Sequence, residues 1–295
     1  MLAELRNLPA PAKLNLFLHV TGRRRDGYHL LETVFQFIDL EDSLDLCLRN
    51  DGLVRRLGPP DDIPAERDLT LRAANALKAA TGCRLGADIL LRKIIPTGAG
   101  LGGGSSNAAT VLIGLNRLWQ LGLDRRQLIE IARPLGADVP VFVFGRNAYA
   151  TGIGDRFRPI DLPARWFVLV MPPVSVATEG VFQDPKLTRS TKPITILGFS
   201  GKSPEIGGRN DLQPVVVARQ PAVKAALAAL KRAAVGSTPG ADTVRMTGSG
   251  ACVFAAMDSF EMAQKVASRV LRHNVGSVHV VAGLAKHPLG SRQVG

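Results

Sequence analysis

The run Pro96-Thr97-Gly98-Ala99-Gly100-Leu101-Gly102-Gly103-Gly104-Ser105-Ser106-Asn107-Ala108-Ala109 is the stretch on which the fold turns. Its five glycines fall within seven positions, after an apolar run that ends at Ile95. Beyond it Ala108, Val111, Leu112, Leu115 and Trp119 recur at helical spacing, so the glycines join a strand to a helix. A loop without Cβ atoms lets a ligand approach the backbone. Its N–H groups and the positive end of the following helix can wrap a polyphosphate, and Ser105 and Ser106 add hydroxyls at the helix start. The helix dipole supplies only ~0.3–2 kcal/mol, so converging N–H groups must carry most of the grip. Glycines can also serve tight packing of a helix on a sheet, but packing rarely calls for Gly102, Gly103 and Gly104 together with two serines.

Two common phosphate motifs do not account for this loop. A P-loop places a lysine after its last glycine, and none follows here. Gly98, Gly100 and Gly103 match the spacing of a dinucleotide-binding turn, with Asp124 about 20 residues on. Asp124 starts a helix, however, with Gln127 as its capping-box partner, and nothing between Ser105 and Gly136 reads as the second strand such a fold needs.

Working outward, Ala12–Val20 reads as extended, with Lys13, Asn15, Phe17 and His19 on one face and Leu14, Leu16 and Leu18 on the other. Leu44–Leu48 alternates as a strand, Leu69–Ala80 is predicted helical, Ala87–Ile95 is the strand that feeds the glycine loop, and Val141–Phe144 reads as an apolar strand. Trp166–Met171 reads as a buried strand, followed by helices at Leu212–Arg219 and Ala222–Ala234. Strands Thr243–Met246 and Ala251–Met257 flank Thr247-Gly248-Ser249-Gly250, before a helix Phe260–His273 and a strand Ser277–Ala282. This ending suggests a ferredoxin-like α+β unit. Thr188–Asn210, rich in Ser, Lys, Pro and Gly, reads as a mobile surface loop. Pro159 and Pro163 bracket a boundary, giving an α+β chain of two domains: residues 1–162, mixed α/β and nucleotide-binding, and residues 163–295, ferredoxin-like.

With 46% apolar residues in 295, the chain can bury a substantial core. Cys47, Cys83 and Cys252 form no pairing or metal pattern, which favours a reducing cytoplasm. No secretory pattern is expected at the start, where Glu4, Arg6 and Lys13 interrupt the apolar runs, and no stretch reaches membrane-spanning length. The net charge of +12 suits anionic partners of any kind. Its even spread and the 5% aromatic content argue against nucleic acid. A small-molecule substrate is expected, with no obligate protein partner evident.

The glycine loop, together with Pro11-Ala12-Lys13-Leu14-Asn15-Leu16 and Met246-Thr247-Gly248-Ser249-Gly250-Ala251-Cys252-Val253-Phe254, resembles the three motifs of the GHMP kinases, in the family's order. Asp26-Gly27-Tyr28-His29-Leu30-Leu31 and Gly136-Ala137-Asp138-Val139-Pro140-Val141-Phe142 resemble the branch of that family acting on cytidylyl-capped methylerythritol. The likeness runs from about Ala10 to Ala282; Thr97, Ala99 and the basic run Arg23-Arg24-Arg25 depart mildly from the pattern. The resemblance implies a two-domain kinase that uses ATP and Mg2+ to phosphorylate the acceptor's 2-hydroxyl on the non-mevalonate route to isoprenoids. A relative acting on homoserine or mevalonate is the alternative, and a non-catalytic nucleic-acid-binding or sensor protein is the alternative of another class.

By the same resemblance Asp138 is the general base and Lys13 its partner, holding the acceptor hydroxyl. Read without it, Asp138 is equally a helix cap, and Lys13 a snorkelling surface residue. Pro96 to Ser106 would hold ATP, with Lys93 beside the adenine, unless Lys93 is simply a solvated strand end. Tyr28 and His29 resemble the cytosine-recognition pair, with Phe182 stacking from the second domain, Thr178 nearby and Asn15 on the acceptor; Phe182 could equally be core. The ligands of a metal are not readable, although Ser105 or Ser106 could contribute. Arg23–Arg25 fit a solvated loop better than a diphosphate site.

Overall fold

A computed structural model describes residues 3–58, 64, 66–194, 208–237 and 244–290. Its strands are β1 (Glu4–Arg23), β2 (His29–Arg49), β3 (Val54–Leu57), β4 (Gly86–Arg92), β5 (Ala148–Thr151), β6 (Arg156–Pro159), β7 (Trp166–Met171), β8 (Arg245–Met246), β9 (Val253–Met257) and β10 (Ser277–Leu284). The helices are α1 (Leu69–Thr81), α2 (Gly103–Leu118), α3 (Arg125–Ala132), α4 (Val139–Phe144), α5 (Thr178–Phe182), α6 (Gln213–Arg219), α7 (Pro221–Ala234) and α8 (Phe260–Leu271). Among these, no helix is long and apolar enough to cross a membrane.

The first half is organised by one long hairpin. β1 and β2 pair antiparallel along nearly their whole lengths, and four register irregularities let the ribbon bend. The sequence reading saw only Ala12–Val20 and Leu44–Leu48 of it, because Glu32, Gln36, Asp39, Glu41 and Asp42 break the apolar pattern of β2. Glu32 and Asp42 are nevertheless buried, and each is satisfied by long-range donors: Tyr149 and Ile194 for Glu32, and Lys93, Ile94 and Ile95 for Asp42. The irregularity between Asn15 and Leu18 also breaks the expected alternation of faces: Phe17 packs in one cluster with Leu14 and Leu16, while Leu18 turns to another. Helices α1, α2, α3 and α4 cover this sheet through Leu77, Leu112, Leu115, Leu128 and Phe142.

Val141–Phe144, expected as a strand, is helical in α4. The segment is buried on every side, so its continuous apolar run carries no period that would separate strand from helix. Pro140 sits at its start and Gly145 closes it at φ +74°.

In the second half β10, β7, β9 and β8 lie side by side, every pair antiparallel, which in chain order is fourth, first, third, second. With α7 and α8 packed on them, this is the expected ferredoxin-like arrangement. Thr243, expected in β8, lies outside the described residues. Residues 160–165 pass irregularly from β6 to β7. The end of β10 returns to the first half, where Gly283 and Leu284 pair with Ile38 and Phe37, so one ten-stranded sheet runs through both halves. A third apolar cluster, including Ala12, Leu14, Leu101, Phe167 and Phe254, fills the seam between them.

Thr188–Asn210, read as a mobile loop, is hydrogen-bonded to the rest of the fold at several of its described positions. Thr191 N–H donates to the Val20 carbonyl, Ile194 N–H to Glu32, and Arg209 N–H to His19 Nε2. Residues 195–207 lie outside the described residues.

Candidate active site

The glycine loop is held from both halves of the molecule. Lys13 N–H donates to the Leu101 carbonyl at 3.0 Å and Cys252 N–H to that of Ala99 at 3.1 Å; Val176 N–H and Ala251 N–H both reach that of Gly98. In a trans peptide the carbonyl of one residue opposes the N–H of the next. Bonding these carbonyls therefore leaves the N–H groups of Ala99, Gly100 and Gly102 on the opposite side of the loop. The loop then enters α2, whose N-cap Gly102 offers no side chain to the first helical N–H groups.

Gly100 and Gly102 show how closely the loop is approached. A Cβ on Gly100, at φ +75°, would run into the Thr247 carbonyl and lie 3.0 Å from Gly250 N; one on Gly102, at φ +73°, would lie 3.1 Å from Lys13 Cε and 3.0 Å from the Phe142 ring. The turn 247–250 thus serves as a buttress of the loop, and Thr247 Oγ1 also accepts the Asn15 N–H at 2.8 Å.

The loop borders a cavity of about 1,090 Å³ that is lined from both halves, from Lys93 and Arg56 through Lys13 and Asp138 to Thr178, Phe182 and Ser249. That is roomy for one small molecule and suits two ligands side by side. Lys13, Arg56, Arg67 and Lys93 face it against Asp68 and Asp138, an excess of cations fitted to polyanions.

At its centre Lys13 Nζ lies 3.1 Å from Asp138 Oδ2 and 2.6 Å from Asn15 Oδ1. Asn15 is oriented in turn by Thr33, whose hydroxyl accepts from Asn15 Nδ2 and donates to the Phe17 carbonyl. Lys13 is almost fully buried, so it needs these partners. Asp138 precedes α4 but its carboxylate makes no cap hydrogen bond; it turns to Lys13 instead and stays 33% exposed to the cavity. The snorkelling reading of Lys13 and the capping reading of Asp138 are both excluded by this pair.

Among the other expected residues, Lys93 lines the cavity but is bonded to Asp42 at 2.6 Å, so it is anchored and not a freely solvated strand end. Pro96 to Ser105 line the cavity; Ser106 is fully buried behind them, its hydroxyl without a hydrogen-bond partner among the described residues. Thr178 and Ser249 share a hydrogen bond of 2.7 Å across the cavity wall. Phe182 lines the cavity and its ring lies 5.1 Å from that of His29, whereas His29 itself and Tyr28, which is 61% exposed, are both outside the lining. Arg24 pairs with Asp26 and Arg23 bonds the Gly27 carbonyl, as suits an exposed loop.

Sequence reasoning missed Asp42, Thr33 and Arg189. Asp42 and Thr33 sit in a β2 whose full extent was not seen, and Arg189 sits in a segment read as a loose loop; no local pattern marks any of the three.

Comparison with known proteins bears on the same residues. Residues 68–146 match the model for the GHMP kinases N terminal domain, and residues 201–276 that for the GHMP kinases C terminal. The chain belongs to the GHMP kinase family. As such it is an ATP-dependent small-molecule kinase. A 4-diphosphocytidyl-2-C-methyl-D-erythritol kinase of Cupriavidus necator is 50% identical to this GHMP kinase over 98% of this chain and 96% of its own. One of the same name from Nitrosospira multiformis is 50% identical over 97% and 94%. A crystal structure of 4-(cytidine 5'-diphospho)-2C-methyl-D-erythritol kinase superimposes with a TM-score of 0.72 at 32% identity, covering 95% of this GHMP kinase and 98% of that chain. The homoserine kinase of Cytophaga hutchinsonii shares the fold, with a TM-score of 0.71 at 18% identity.

Proposed function

We propose that this enzyme transfers the γ-phosphoryl group of ATP to the 2-hydroxyl of 4-diphosphocytidyl-2-C-methyl-D-erythritol, in the cytoplasm, on the non-mevalonate route to isopentenyl diphosphate. The observation that carries the reading is the Lys13–Asp138 pair at 3.1 Å, set beside the glycine loop in a cavity that continues to Phe182. The relatives of the same activity at half identity over nearly the whole chain support the choice of acceptor.

Placement around the cavity supports each role. The N–H groups of the loop and the start of α2 hold the phosphates, Lys93 fixes the loop's entrance beside the base, and Lys13 with Asn15 orients the acceptor hydroxyl. Asp138 takes the proton of that hydroxyl as its oxygen bonds the γ-phosphorus and the bond to the bridging oxygen breaks, releasing ADP. Lys13 favours the developing alkoxide by charge.

Magnesium fits as an ion carried largely by the phosphates. Among the described residues no group of three or more His, Cys, Asp or Glu could hold a metal, while the Ser105 hydroxyl and the Asp138 carboxylate offer oxygen donors at the cavity. When bound, the ion supplies neutralisation of the phosphate charge.

Incubation of the purified protein with ATP, magnesium and each candidate acceptor tests the reading. Phosphate transfer to the cytidylyl compound and not to homoserine or mevalonate is expected; transfer to homoserine alone would overturn it.

A further inference from the structure

Arg189 is not part of the catalytic pair or of the phosphate loop, yet it ties His29, just outside the cavity lining, to the segment of Phe182, which lines the cavity. Its Nε–H donates to His29 Nε2 at 3.0 Å. One terminal nitrogen donates to the carbonyls of Phe182 at 3.0 Å and Asp184 at 2.8 Å, and the other to that of Leu187 at 3.1 Å. His29 opens β2 and Phe182 ends α5, so a single guanidinium spans the two elements whose rings meet at 5.1 Å.

The direction of the Arg189–His29 bond is forced by chemistry. A guanidinium has only donors and stays charged, so the His29 nitrogen that meets it must carry a lone pair. His29 is then neutral, and its proton sits on Nδ1. Burial of the ring, with the Arg189 and Arg23 cations nearby, moves its pKa in the same direction, below the ordinary histidine value.

We propose that Arg189 is a positioning residue for base recognition: by occupying His29 Nε2 it fixes the Nδ1–H form, so that His29 presents a donor to the pyrimidine. This rests on the cytidylyl acceptor proposed above. The ring nitrogen N3 of a cytosine accepts a hydrogen bond, whereas the same position of a uracil carries a proton. A locked donor therefore favours cytosine and meets a second donor in uracil, which a histidine free to exchange tautomers would not enforce. The main-chain bonds of Arg189 hold the Phe182 segment, whose ring is then in place to stack on the base.

The test compares kcat/KM for the cytidylyl acceptor with that for its uridylyl analogue in the wild-type enzyme, in Arg189→Leu and in Arg189→Lys, and repeats Arg189→Leu in a His29→Asn background. Arg189→Leu is expected to lower the cytidylyl preference by about tenfold, the scale of one buried hydrogen bond, with Arg189→Lys recovering part of it. In the His29→Asn background the same substitution should change the preference by roughly twofold or less, because the partner it acts through is gone. Nitrogen-15 spectra of His29 supply a readout that needs neither substrate nor a folded variant: the wild-type protein should show the proton on Nδ1. A proton on Nε2, or an unchanged preference in Arg189→Leu, overturns the inference. A wild-type enzyme that phosphorylates neither pyrimidine compound instead overturns the choice of acceptor, and the spectra then decide the His29–Arg189 geometry by themselves.

Discussion

The two ends of the cavity are built on different principles. At the phosphate end the loop is placed by main chain, with its carbonyls bonded to β1, to the approach to α5 and to residues 251–252 and with Gly100 in close contact, while the buried Lys13 is placed by its carboxylate and amide partners. At the Phe182 end the His29 and Phe182 rings are held together by the Arg189 side chain, and Tyr28 stands exposed. Chemistry requires groups fixed to within fractions of an ångström, and backbone supplies that rigidity. Selection of a base tolerates an end that adjusts as the ligand enters.

On that contrast, damage at the phosphate end should fall on turnover or on ATP binding, and damage at the other end on acceptor affinity. The largest effect is expected from Asp138→Asn, which keeps the shape but removes the base; kcat should fall by about 10²–10⁴-fold in a coupled ADP-release assay while ATP binding, read by titration calorimetry, persists. Loss of ATP binding in this variant would break the division of labour.

Gly100→Ala should come next. The added methyl meets the Thr247 carbonyl in a backbone conformation that alanine adopts poorly, so the loop must shift against its buttress. A loss of roughly 1–3 kcal/mol in denaturant unfolding is expected, with a rise in the KM for ATP. A variant with unchanged KM would show that the turn does not set the loop.

His287 sharpens the comparison from behind the phosphate end, where it packs edge-on against Phe37 and against Phe142 of α4. Burial, with Arg125 nearby, lowers its pKa to about 3. Because the unfolded chain binds this proton more readily than the folded one, stability should fall as pH drops from about 6.5 toward 3, and the full contribution is present above 6.5. At pH 5 the linkage amounts to about 2 kcal/mol. Thermal unfolding between pH 7 and 4.5 should therefore be less acid-sensitive in His287→Phe than in the wild type; parallel curves would remove this residue from the account.

The smallest effect is expected from Tyr28→Ala. The side chain is mostly in solvent and lines no part of the cavity, so the KM for the cytidylyl acceptor should rise by about two- to tenfold with kcat nearly unchanged, if the ring closes over the base only when it is bound. A collapse of kcat would place Tyr28 among the rigid groups of the other end.

The sequence alone determined what depends on local chain chemistry. The glycine run requires a backbone free to approach other groups, the helical spacing after it is a property of consecutive residues, and the Asp124–Gln127 capping box was legible for the same reason. Lys13 and Asp138 could be named because their neighbours follow a known motif, but the residues alone left a snorkelling lysine and a helix cap equally open. Only the tertiary structure decided those alternatives, since a 3.1 Å contact between positions 13 and 138 is set by the packing of α4 against α2 and against Phe37 of β2 and leaves no periodic trace in the chain. The same holds for Asp42 under Lys93, Arg189 on His29, and the helical state of Val139–Phe144: each depends on which remote surface encloses the residue, a quantity that no window of neighbouring letters contains.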